Sequence, residues 1–400
     1  MTGTCPVCER PGATEVLDLP TPVPVLANRL YDDADSARSA PVGRTRLVLC
    51  HGCGHLWNAA FEPDLVHYDE GYENSLHHSG VFTSFADALA ERLVDRFDLR
   101  GRTLVEIGSG QGDFLRQLCS LGGNRGIGFD PSYAGGSEAD PEYQVSFVPS
   151  LFPTETASLE ADFVYARHVL EHLGDPRGVL SAVRRSLGER DCGVYVEVPD
   201  GGHLLAAPAL WDLVYEHPAH FTASSLTRLL AETGFGVFDV HTDFGGQFLS
   251  ADAGTRATDG ARPAPSDDLL EDAGSFAVRV ANEVSRWDQV LVAAGDEGRQ
   301  VVVWGAGSKG ATFLNIVPAA RQAVAAIVDV NPRKHGRFVP GSGHEVVAPE
   351  AVRDLDADVV LVMNPLYAEE VGHILVGLGS RSDIVTVAAP SETSGEVPTA

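Results

Sequence analysis

The chain contains Thr103-Leu-Val-Glu-Ile-Gly-Ser-Gly-Gln-Gly-Asp113 and, shortly after it, Gly126-Ile-Gly-Phe-Asp-Pro131. This pattern is typical of a strand, a glycine turn, a helix and a second strand that ends in an acid. Glycine accepts positive φ and has no Cβ, so a turn built from Gly108, Gly110 and Gly112 can pass close beneath a ligand. Asp130 ends the second strand, where a carboxylate can accept hydrogen bonds from both hydroxyls of a ribose. The pattern predicts a nucleoside site in a doubly wound α/β domain.

The dinucleotide form of this turn, G-x-G-x-x-G, would need glycine where the chain has Asp113. This difference argues against a pyrophosphate ligand and favours a compact cation, because an amino group and a sulfonium tolerate nearby carboxylates. Together with Glu106 in the preceding strand, it predicts that the turn binds S-adenosylmethionine. The alternative is a structural turn in some other α/β domain.

Composition limits the classes of partner. The chain has 400 residues, 44% of them apolar, which suffices for a large core and predicts several structural units. Its formal charge of −27 opposes binding to nucleic acid or to anionic membranes, because no local basic cluster offsets it. The sequence has neither an apolar leader nor an apolar run of about 18 residues. We expect a cytoplasmic monomer or homodimer with a small-molecule substrate.

Four of the six cysteines fall in two C-x-x-C pairs, Cys5 with Cys8 and Cys50 with Cys53. Each pair places two thiolates on one turn, and two such turns supply the tetrahedral sulfur set that zinc prefers. In a reducing cytoplasm this arrangement favours metal over disulfide, and a redox dithiol is the weaker alternative. We predict a structural Zn²⁺ site, while Cys119 and Cys192 lie in apolar patterns and are expected to be core thiols.

The patterns divide the chain into five segments. Residues 1–62 form the zinc-binding module, and residues 63–252 alternate strand and helix, with strands predicted at 103–107, 126–129, 162–166 and 193–198. This alternation predicts an α/β fold with a parallel, doubly wound sheet. Residues 253–295 read as a linker and a connecting helix, 296–390 as a C-terminal Rossmann-like domain, and 391–400 as a disordered tail.

A second glycine turn, Val301-Val-Val-Trp-Gly-Ala-Gly-Ser-Lys-Gly310, opens the C-terminal domain. Its G-x-G-x-x-G spacing, with Asp329 at the end of the next strand, fits a dinucleotide better than the first turn does. Three interpretations stay open. The turn binds NAD(P), or it holds the phosphates of a nucleotide-activated substrate at a helix N-terminus with help from Lys309, or it binds nothing.

Reactive side chains are densest in Trp211-Asp-Leu-Val-Tyr-Glu-His-Pro-Ala-His-Phe-Thr222, which follows a predicted strand. In α/β sheets ligands bind at the carboxyl ends of strands, so this loop is placed to cover the cofactor. Glu216 beside His217 can raise the basicity of the imidazole, which suits proton abstraction near neutral pH. The alternative is that His217 and His220 line the next helix, whose start, Thr222-Ala-Ser-Ser225, is typical of a cap.

Two further clusters carry polar groups. Tyr68-Asp-Glu-Gly-Tyr-Glu-Asn-Ser-Leu-His-His-Ser79 precedes an amphipathic helix and is either a lid that turns His78 and Ser79 toward the substrate or a solvated loop. In Ala166-Arg-His-Val-Leu-Glu-His-Leu173, helical spacing would place His168 and His172 on one face. A metal interpretation lacks a third ligand, so we expect Arg167 and His168 at the edge of the cofactor.

Together these motifs resemble the three-domain, zinc-containing, S-adenosylmethionine-dependent C-methyltransferases that methylate deoxysugars joined to a nucleoside diphosphate. The segments that carry the resemblance are the cysteine tetrad, Val105-Glu-Ile-Gly-Ser-Gly110, Ala166-Arg-His-Val-Leu-Glu-His172, Tyr215-Glu-His217, Gly305-Ala-Gly-Ser-Lys-Gly310, Val328-Asp-Val-Asn-Pro332 and Gly336-Arg-Phe-Val-Pro-Gly341. They cover nearly the whole chain. The resemblance implies an α/β, class I methyltransferase fold, with a Rossmann-like parallel sheet between an N-terminal zinc-binding module and a C-terminal Rossmann-like domain.

The resemblance implies roles for individual residues. His217 would take a proton from the carbon beside a 4-keto group, with Glu216 as its partner, and His220 would stand beside them. Tyr215 and Tyr72 would contact the sugar. The C-terminal domain would help to hold the nucleotide, which assigns Lys309 and Asn331 to the substrate.

Three alternatives remain at this stage. An S-adenosylmethionine-dependent O-methyltransferase on a sugar or natural product would use the same cofactor site. An NAD(P)-dependent sugar oxidoreductase or epimerase would use the second glycine turn and Asp329. A zinc-stapled scaffold with relic nucleotide folds would not be an enzyme.

Overall fold

The computed structural model describes residues 4–69, 71–135, 143–153, 158–206, 210–256 and 262–387. The predicted disordered tail, 391–400, lies outside the described residues. Within these ranges, no helix combines the length and the apolar character that crossing a membrane requires.

The N-terminal part of the chain consists of short strands around the cysteine pairs. Its elements are β1 (Ala13–Asp18), β2 (Val23–Pro24), α1 (Ala34–Arg38), β3 (Val42–Gly43), β4 (Arg46–Cys50) and β5 (Leu56–Asn58). Strand β1 pairs with β4 and β4 with β5, all antiparallel, while β2 and β3 form a separate ribbon.

The middle of the chain alternates strand and helix. Its elements are α2 (Gly80–Arg96), β6 (Thr103–Ile107), α3 (Asp113–Gly122), β7 (Arg125–Phe129), β8 (Val145–Val148), β9 (Phe163–Arg167), α4 (Pro176–Leu187), β10 (Gly193–Pro199), α5 (Gly201–Ala206), β11 (Ala219–His220), α6 (Ala223–Glu232), β12 (Gly236–Asp243) and β13 (Phe248–Gly254). Single-turn 3-10 helices lie at Leu170–His172 and Leu210–Asp212.

Seven strands of this part form one sheet, in the order β12-β13-β10-β9-β6-β7-β8. The prediction of a parallel sheet is correct except at β13, which runs antiparallel to both β10 and β12. A short connection joins β12 to β13, and such a connection can form only a hairpin, because parallel neighbours need a long crossover.

The C-terminal part is a second, smaller doubly wound unit. The 30-residue helix α7 (Asp267–Asp296) leads into it. Then follow β14 (Val301–Trp304), α8 (Ser308–Ile316), α9 (Ala320–Ala323), β15 (Val324–Val328), β16 (Val346–Val347), α10 (Ala351–Asp354), β17 (Val359–Val362), α11 (Ala368–Gly377) and β18 (Asp383–Thr386). Its five strands are parallel, in the order β16-β15-β14-β17-β18.

The N-terminal sheet receives its fourth strand from far along the chain. Strand β11 pairs antiparallel with β5, placing Ala219 opposite Trp57 and His220 opposite Leu56. Apolar side chains of the N-terminal part share one core with α7 and one face of the C-terminal sheet. The four clustered cysteines belong instead to the core on one face of the seven-stranded sheet. The N-terminal part therefore packs against both nucleotide-type folds.

Local signals account for most element ends. The Thr222 side chain caps α6 in a reciprocal box with Ser225, as the sequence predicts. Ser79 caps α2, and Ser266 caps α7. In each case the serine side chain accepts a hydrogen bond from the backbone N–H three residues further along the chain. Cys119 and Cys192 are buried in the core, as expected.

Candidate active site

A cleft of about 300 Å³ lies between the seven-stranded sheet and the C-terminal unit. It opens at the carboxyl ends of β9, β10 and β14, where ligands bind in sheets of this type. Seven of the predicted site residues line it: Tyr72, His78, Ser79, His168, His217, His220 and Lys309. Segments that are distant in sequence thus meet around one space.

The first glycine turn has the backbone that its sequence predicts. Gly108, Gly110 and Gly112 have φ of +73°, +53° and +84°, values that side chains rarely adopt. A Cβ on Gly108 would lie 2.2 Å from Val169, and one on Gly112 would lie 2.1 Å from Phe147. Space above Gly110 is open. The turn therefore packs tightly on two sides and leaves its middle free for a ligand.

Asp130 stands directly beside that open position. Its carboxylate accepts a hydrogen bond from the Gly110 backbone N–H at 2.7 Å and from the backbone N–H of Ser132 at 2.7 Å. Glu106 lies deeper, where burial raises the pKa of its carboxyl to about 8. The free turn and the acid at the end of β7 fit the adenosine half of S-adenosylmethionine.

A buried charge network follows β9. Arg167 forms an ion pair with Glu197 at 2.8 Å and lies over the Phe114 ring. His168, at φ +53°, places its imidazole 3.1 Å from Glu197. Burial alone would lower the pKa of His168, but hydrogen bonds to Glu171 and Glu197 outweigh it and raise the pKa to about 9. His168 is therefore an imidazolium at the cleft wall.

The structure does not place His168 and His172 on one face of an α-helix. The His168 backbone has a left-handed conformation, and Leu170–His172 forms a single 3-10 turn. The prediction that this segment is an α-helix is therefore wrong. His172 packs edge-on against His217 instead, with ring centroids 4.6 Å apart. Its neighbour in space thus comes from the 211–222 loop.

His217 faces the cleft in its neutral form. Burial, and then the neighbouring His172, His220 and His168, lower the pKa of His217 well below its ordinary value. His220 lies 6.4 Å away between ring centroids, and burial lowers its pKa to about 4. A neutral imidazole has a lone pair to accept a proton, so His217 has the protonation state of a general base.

The Glu216 carboxyl points toward Tyr72, whose hydroxyl donates to Oε1 at 3.4 Å. Burial raises the pKa of Glu216 to about 8. The Glu216 backbone carbonyl lies 3.0 Å from Nδ1 of His172. Glu216 therefore acts on the histidine pair through its backbone, whereas its side chain joins the tyrosine.

Tyr215 lies outside the cleft. Its ring is fully buried against Phe61, and its hydroxyl accepts a hydrogen bond from the Glu62 backbone N–H at 2.7 Å. The resemblance had implied sugar contact for this tyrosine, but in the structure it fastens the 211–222 loop to the N-terminal module.

The same module holds the loop at several further points. Asn58 donates from its backbone N–H to the Pro218 carbonyl at 2.9 Å, directly after His217. The cysteine turn contributes the carbonyls of Cys53 and Gly54, which accept from Ser224 at 2.8 Å and Thr222 at 3.2 Å. The position of His217 therefore depends on the fold of the cysteine module.

The 68–79 segment closes one side of the cleft. Ser79 donates to Glu370 of the C-terminal unit at 2.6 Å and also caps α2. His78 lines the cleft beside it. Tyr68 places its hydroxyl 2.9 Å from Nδ1 of His172. This segment bridges the two halves of the molecule, as a lid would.

The second glycine turn presents an uncapped helix to the cleft. Helix α8 begins after Gly307 with no side-chain cap, and Gly305, Gly307, Ser308 and Lys309 line the space. Lys309 pairs with Asp212 at 2.6 Å. The free backbone N–H groups at such a helix start attract anions.

Asp329, which a dinucleotide would need for its ribose, already has partners. It accepts from the Ala306 backbone N–H at 2.9 Å and from Lys334 at 3.2 Å, and Lys334 is buried. Asn331 is also buried and donates to Glu73 at 3.2 Å, so it ties the lid segment to the C-terminal unit.

The four paired cysteines converge at one point. All four are buried, and their sulfurs lie within 4.8 Å of one another, with Cys8 and Cys50 at 3.5 Å and Cys5 and Cys53 at 3.7 Å. A tetrahedral zinc ion with Zn–S bonds of about 2.3 Å would hold its sulfurs about 3.8 Å apart. The donor set fits a closed, structural zinc site.

Sequence reasoning missed Glu197 as a site residue, although the chain contained a signal for it. A single carboxylate stands inside the apolar run of β10, and the structure buries it completely beneath Arg167, His168 and Tyr195. A charge inside such a run is rarely tolerated unless it is paired. His172 was noticed, but its contact with His217 comes from tertiary structure alone.

Comparisons with known proteins agree with this geometry. A family model described as a methyltransferase domain matches residues 79–240, and one described as a C-methyltransferase C-terminal domain matches residues 269–380. The chain is 28% identical over 369 residues to the C-methyltransferase NovU of Streptomyces niveus, with 86% of each chain covered. The two family models include both glycine turns.

Two solved methyltransferase structures are similar to part of this chain at low sequence identity. The 1,6-didemethyltoxoflavin-N1-methyltransferase of Burkholderia thailandensis is 18% identical, with 44% of this chain and 80% of that chain covered and a TM-score of 0.34. The magnesium protoporphyrin IX methyltransferase of Synechocystis PCC 6803 is 16% identical, with 44% and 84% covered and a TM-score of 0.35.

Proposed function

We propose that this chain is an S-adenosylmethionine-dependent C-methyltransferase that methylates carbon next to a ketone in a nucleotide-linked keto-deoxysugar or a related small metabolite. The observation that carries the proposal is a neutral His217 in a cleft that the second glycine turn lines. This cleft opens at the end of β9, the strand next to β6, and β6 leads into the first glycine turn. S-adenosylmethionine, when bound, supplies an electrophilic methyl group.

Residues of the first turn would hold the cofactor. Gly110 leaves room for the nucleoside, and Asp130 beside it offers carboxylate oxygens to the ribose hydroxyls. Arg167 and His168 form the wall between this turn and the cleft and are fixed by Glu197. Rigid placement of this wall would orient the methyl group toward the substrate.

His217 would act as the general base. A ketone acidifies the neighbouring C–H, and the neutral imidazole takes that proton, which leaves an enolate carbon as the nucleophile. Tyr72 lines the same space and can turn its hydroxyl from Glu216 to donate a hydrogen bond to a substrate oxygen. Burial keeps His217 unprotonated before the substrate arrives.

The start of α8 would hold the phosphates of the nucleotide. Its uncapped N–H groups supply the positive end of a helix at the cleft edge, and Lys309 adds a positive charge there. Asp212 already pairs with Lys309, so the lysine is held in place and a phosphate would have to compete for it. This arrangement favours a substrate with a diphosphate over a neutral metabolite.

We also propose that Cys5, Cys8, Cys50 and Cys53 bind structural Zn²⁺. The support is the close convergence of four buried sulfurs in two C-x-x-C turns. A closed shell of four thiolates leaves no position for substrate, so this ion would serve folding.

O-methylation is the second candidate, because the same base could take a proton from a hydroxyl. The NAD(P) alternative is disfavoured by Lys334, a buried cation that pairs with Asp329, whereas the hydrogen-bond donors to Asp130 are neutral. A nucleoside diphosphate 4-keto-deoxysugar and ¹³C-methyl-labelled cofactor decide between carbon and oxygen, because the two products differ strongly in methyl carbon shift.

The test of the base compares two histidines of one cleft. We expect His217→Ala to lower kcat by about 10²–10⁴-fold, the usual contribution of a general base, while calorimetry still detects S-adenosylhomocysteine. His203 lines the same cleft, and His203→Ala serves as the matched control with turnover near that of the unaltered chain. Full turnover by His217→Ala, or no binding of S-adenosylhomocysteine to the unaltered chain, would contradict the proposal.

A further inference from the structure

Glu171, His172 and His217 bring one carboxylate and two imidazoles together, with their ligand atoms all within 4.8 Å of one another. We infer that these three side chains form a second metal site, which binds a divalent transition ion such as Zn²⁺ through nitrogen and oxygen. The site is separate from the cysteine set, because its donors lie in the cleft. The 211–222 loop supplies the third ligand that the sequence pattern around His172 lacked.

His172 is prepared for this role by its outer nitrogen. Nδ1 lies 3.0 Å from the Glu216 carbonyl oxygen and 2.9 Å from the Tyr68 hydroxyl. The carbonyl can only accept, so Nδ1 carries the hydrogen and Nε2 keeps its lone pair. A histidine that donates from one ring nitrogen to a backbone carbonyl is the usual arrangement in metal sites, where it fixes the ring and the tautomer.

Glu171 offers the ion the carboxylate oxygen that His168 does not occupy. It is 2% exposed, and within the described ranges its Oε2 is buried without a hydrogen-bond partner. The other oxygen lies 3.6 Å from His168. A buried carboxylate oxygen without a partner costs free energy, and a bound cation would remove that cost.

The three ligands leave room for a fourth. All of them line the cleft, so water or a substrate oxygen can complete a tetrahedron around the ion. Two histidines, one glutamate and an open position are a ligand set that zinc adopts in reactive sites, whereas four thiolates close the shell. The second site would therefore exchange its ion more readily than the first.

The consequence for turnover rests on the proposed function. If His217 gives its lone pair to the metal, it cannot take a proton from the substrate. Micromolar Zn²⁺ is then an inhibitor that competes with substrate, and a chelator restores the rate.

Equilibrium dialysis with Zn²⁺ and metal analysis test the site without reference to turnover. We expect the unaltered chain to bind one more ion than the Glu171→Gln/His172→Ala double variant. His203→Gln, in the same cleft but outside the cluster, should bind as many as the unaltered chain. Glu171→Gln alone preserves side-chain size, and it should weaken binding of the second ion by about tenfold or more.

Cobalt separates the two sites by ligand type. Thiolate-bound Co²⁺ absorbs strongly in the near ultraviolet, whereas nitrogen- and oxygen-bound Co²⁺ shows only weak visible bands, so the double variant should lose only weak bands. Equal metal content in the unaltered chain and both variants would overturn the inference. Calorimetry with S-adenosylhomocysteine on the same samples reports on folding and on the proposed function. Cofactor binding without the second ion would refute the metal site alone, whereas loss of cofactor binding would count against the proposed function.

Discussion

At the scale of single residues, the molecule concentrates buried charge behind its cleft. Glu197 is fully buried and receives Arg167 at 2.8 Å, His168 at 3.1 Å and the Tyr195 hydroxyl at 2.8 Å. Removing one partner of such a cluster leaves the others buried and uncompensated. We expect Glu197→Gln to lower the free energy of unfolding by about 3–5 kcal/mol, measured by urea denaturation.

The control for this change is an ion pair on the surface. Glu160 pairs with Arg190 at 3.0 Å but is 83% exposed, so Glu160→Gln should cost at most about 1 kcal/mol. Burial would raise the pKa of Glu197, but Arg167 and His168 outweigh it and lower the pKa to about 2. The stability that this carboxylate contributes is therefore complete above about pH 4.5, its ordinary range, and is lost as pH falls toward 2. Equal losses of unfolding free energy in Glu197→Gln and Glu160→Gln would refute the stabilising role of the buried Glu197 network.

A second prediction at this scale concerns the pH dependence of His217. Burial and the neighbouring histidines lower its pKa well below 6.5, so the ring stays neutral, and competent as a base, through mildly acidic solutions. We expect no protonation of this ring between pH 7 and pH 6 in a proton NMR titration. His217→Gln identifies its signal by loss, and a midpoint near 6.5 would contradict the buried geometry.

At the scale of elements, the second glycine turn depends on one close contact. Gly310 lies in the first turn of α8, and a Cβ there would stand 2.2 Å from the Gly305 carbonyl oxygen. The backbone at Gly305 and the backbone of α8 have no room to move apart, so Gly310→Ala should displace the turn and lower the free energy of unfolding by about 1–3 kcal/mol. Gly274 lies within α7 with open space around it, and Gly274→Ala should instead stabilise by up to about 1 kcal/mol. Thermal unfolding should show a lower melting temperature for Gly310→Ala and a higher one for Gly274→Ala.

Elements with strong local patterns were predictable from the sequence. The predicted strand 103–107 coincides with β6, and the strand predicted at 193–198 matches β10 to within one residue. Pairing between distant segments was not predictable, because nothing local in Ala219–His220 marks it as the edge partner of β5. The same limit applies to the site: sequence placed His217 in a loop near the cofactor, whereas its contact with His172 depends on how two loops pack.

At the scale of the whole molecule, three units meet around one cleft, and each has a separate task. The seven-stranded sheet presents His168 and carries the open turn at Gly110 nearby, and the C-terminal unit presents the start of α8. The N-terminal module presents no side chain of its cysteine set to the cleft, yet it holds the 215–224 segment by strand pairing and hydrogen bonds. The position of His217, the proposed base, thus depends on the unit that carries the proposed zinc site.

This division of tasks predicts that metal loss should separate turnover from cofactor binding. Cys50→Ser removes one of four zinc ligands, and the carbonyls of Cys53 and Gly54 then lose the geometry that holds Thr222 and Ser224. Gly108–Asp113 and Asp130 lie outside the module, so we expect S-adenosylhomocysteine affinity to change less than about threefold while kcat falls more than about tenfold. Cys192→Ala, a buried thiol outside the tetrad, should keep its thiolate-bound metal and its rate. A parallel loss of cofactor affinity and rate in Cys50→Ser would show instead that the module supports the whole fold, not the loop that carries His217.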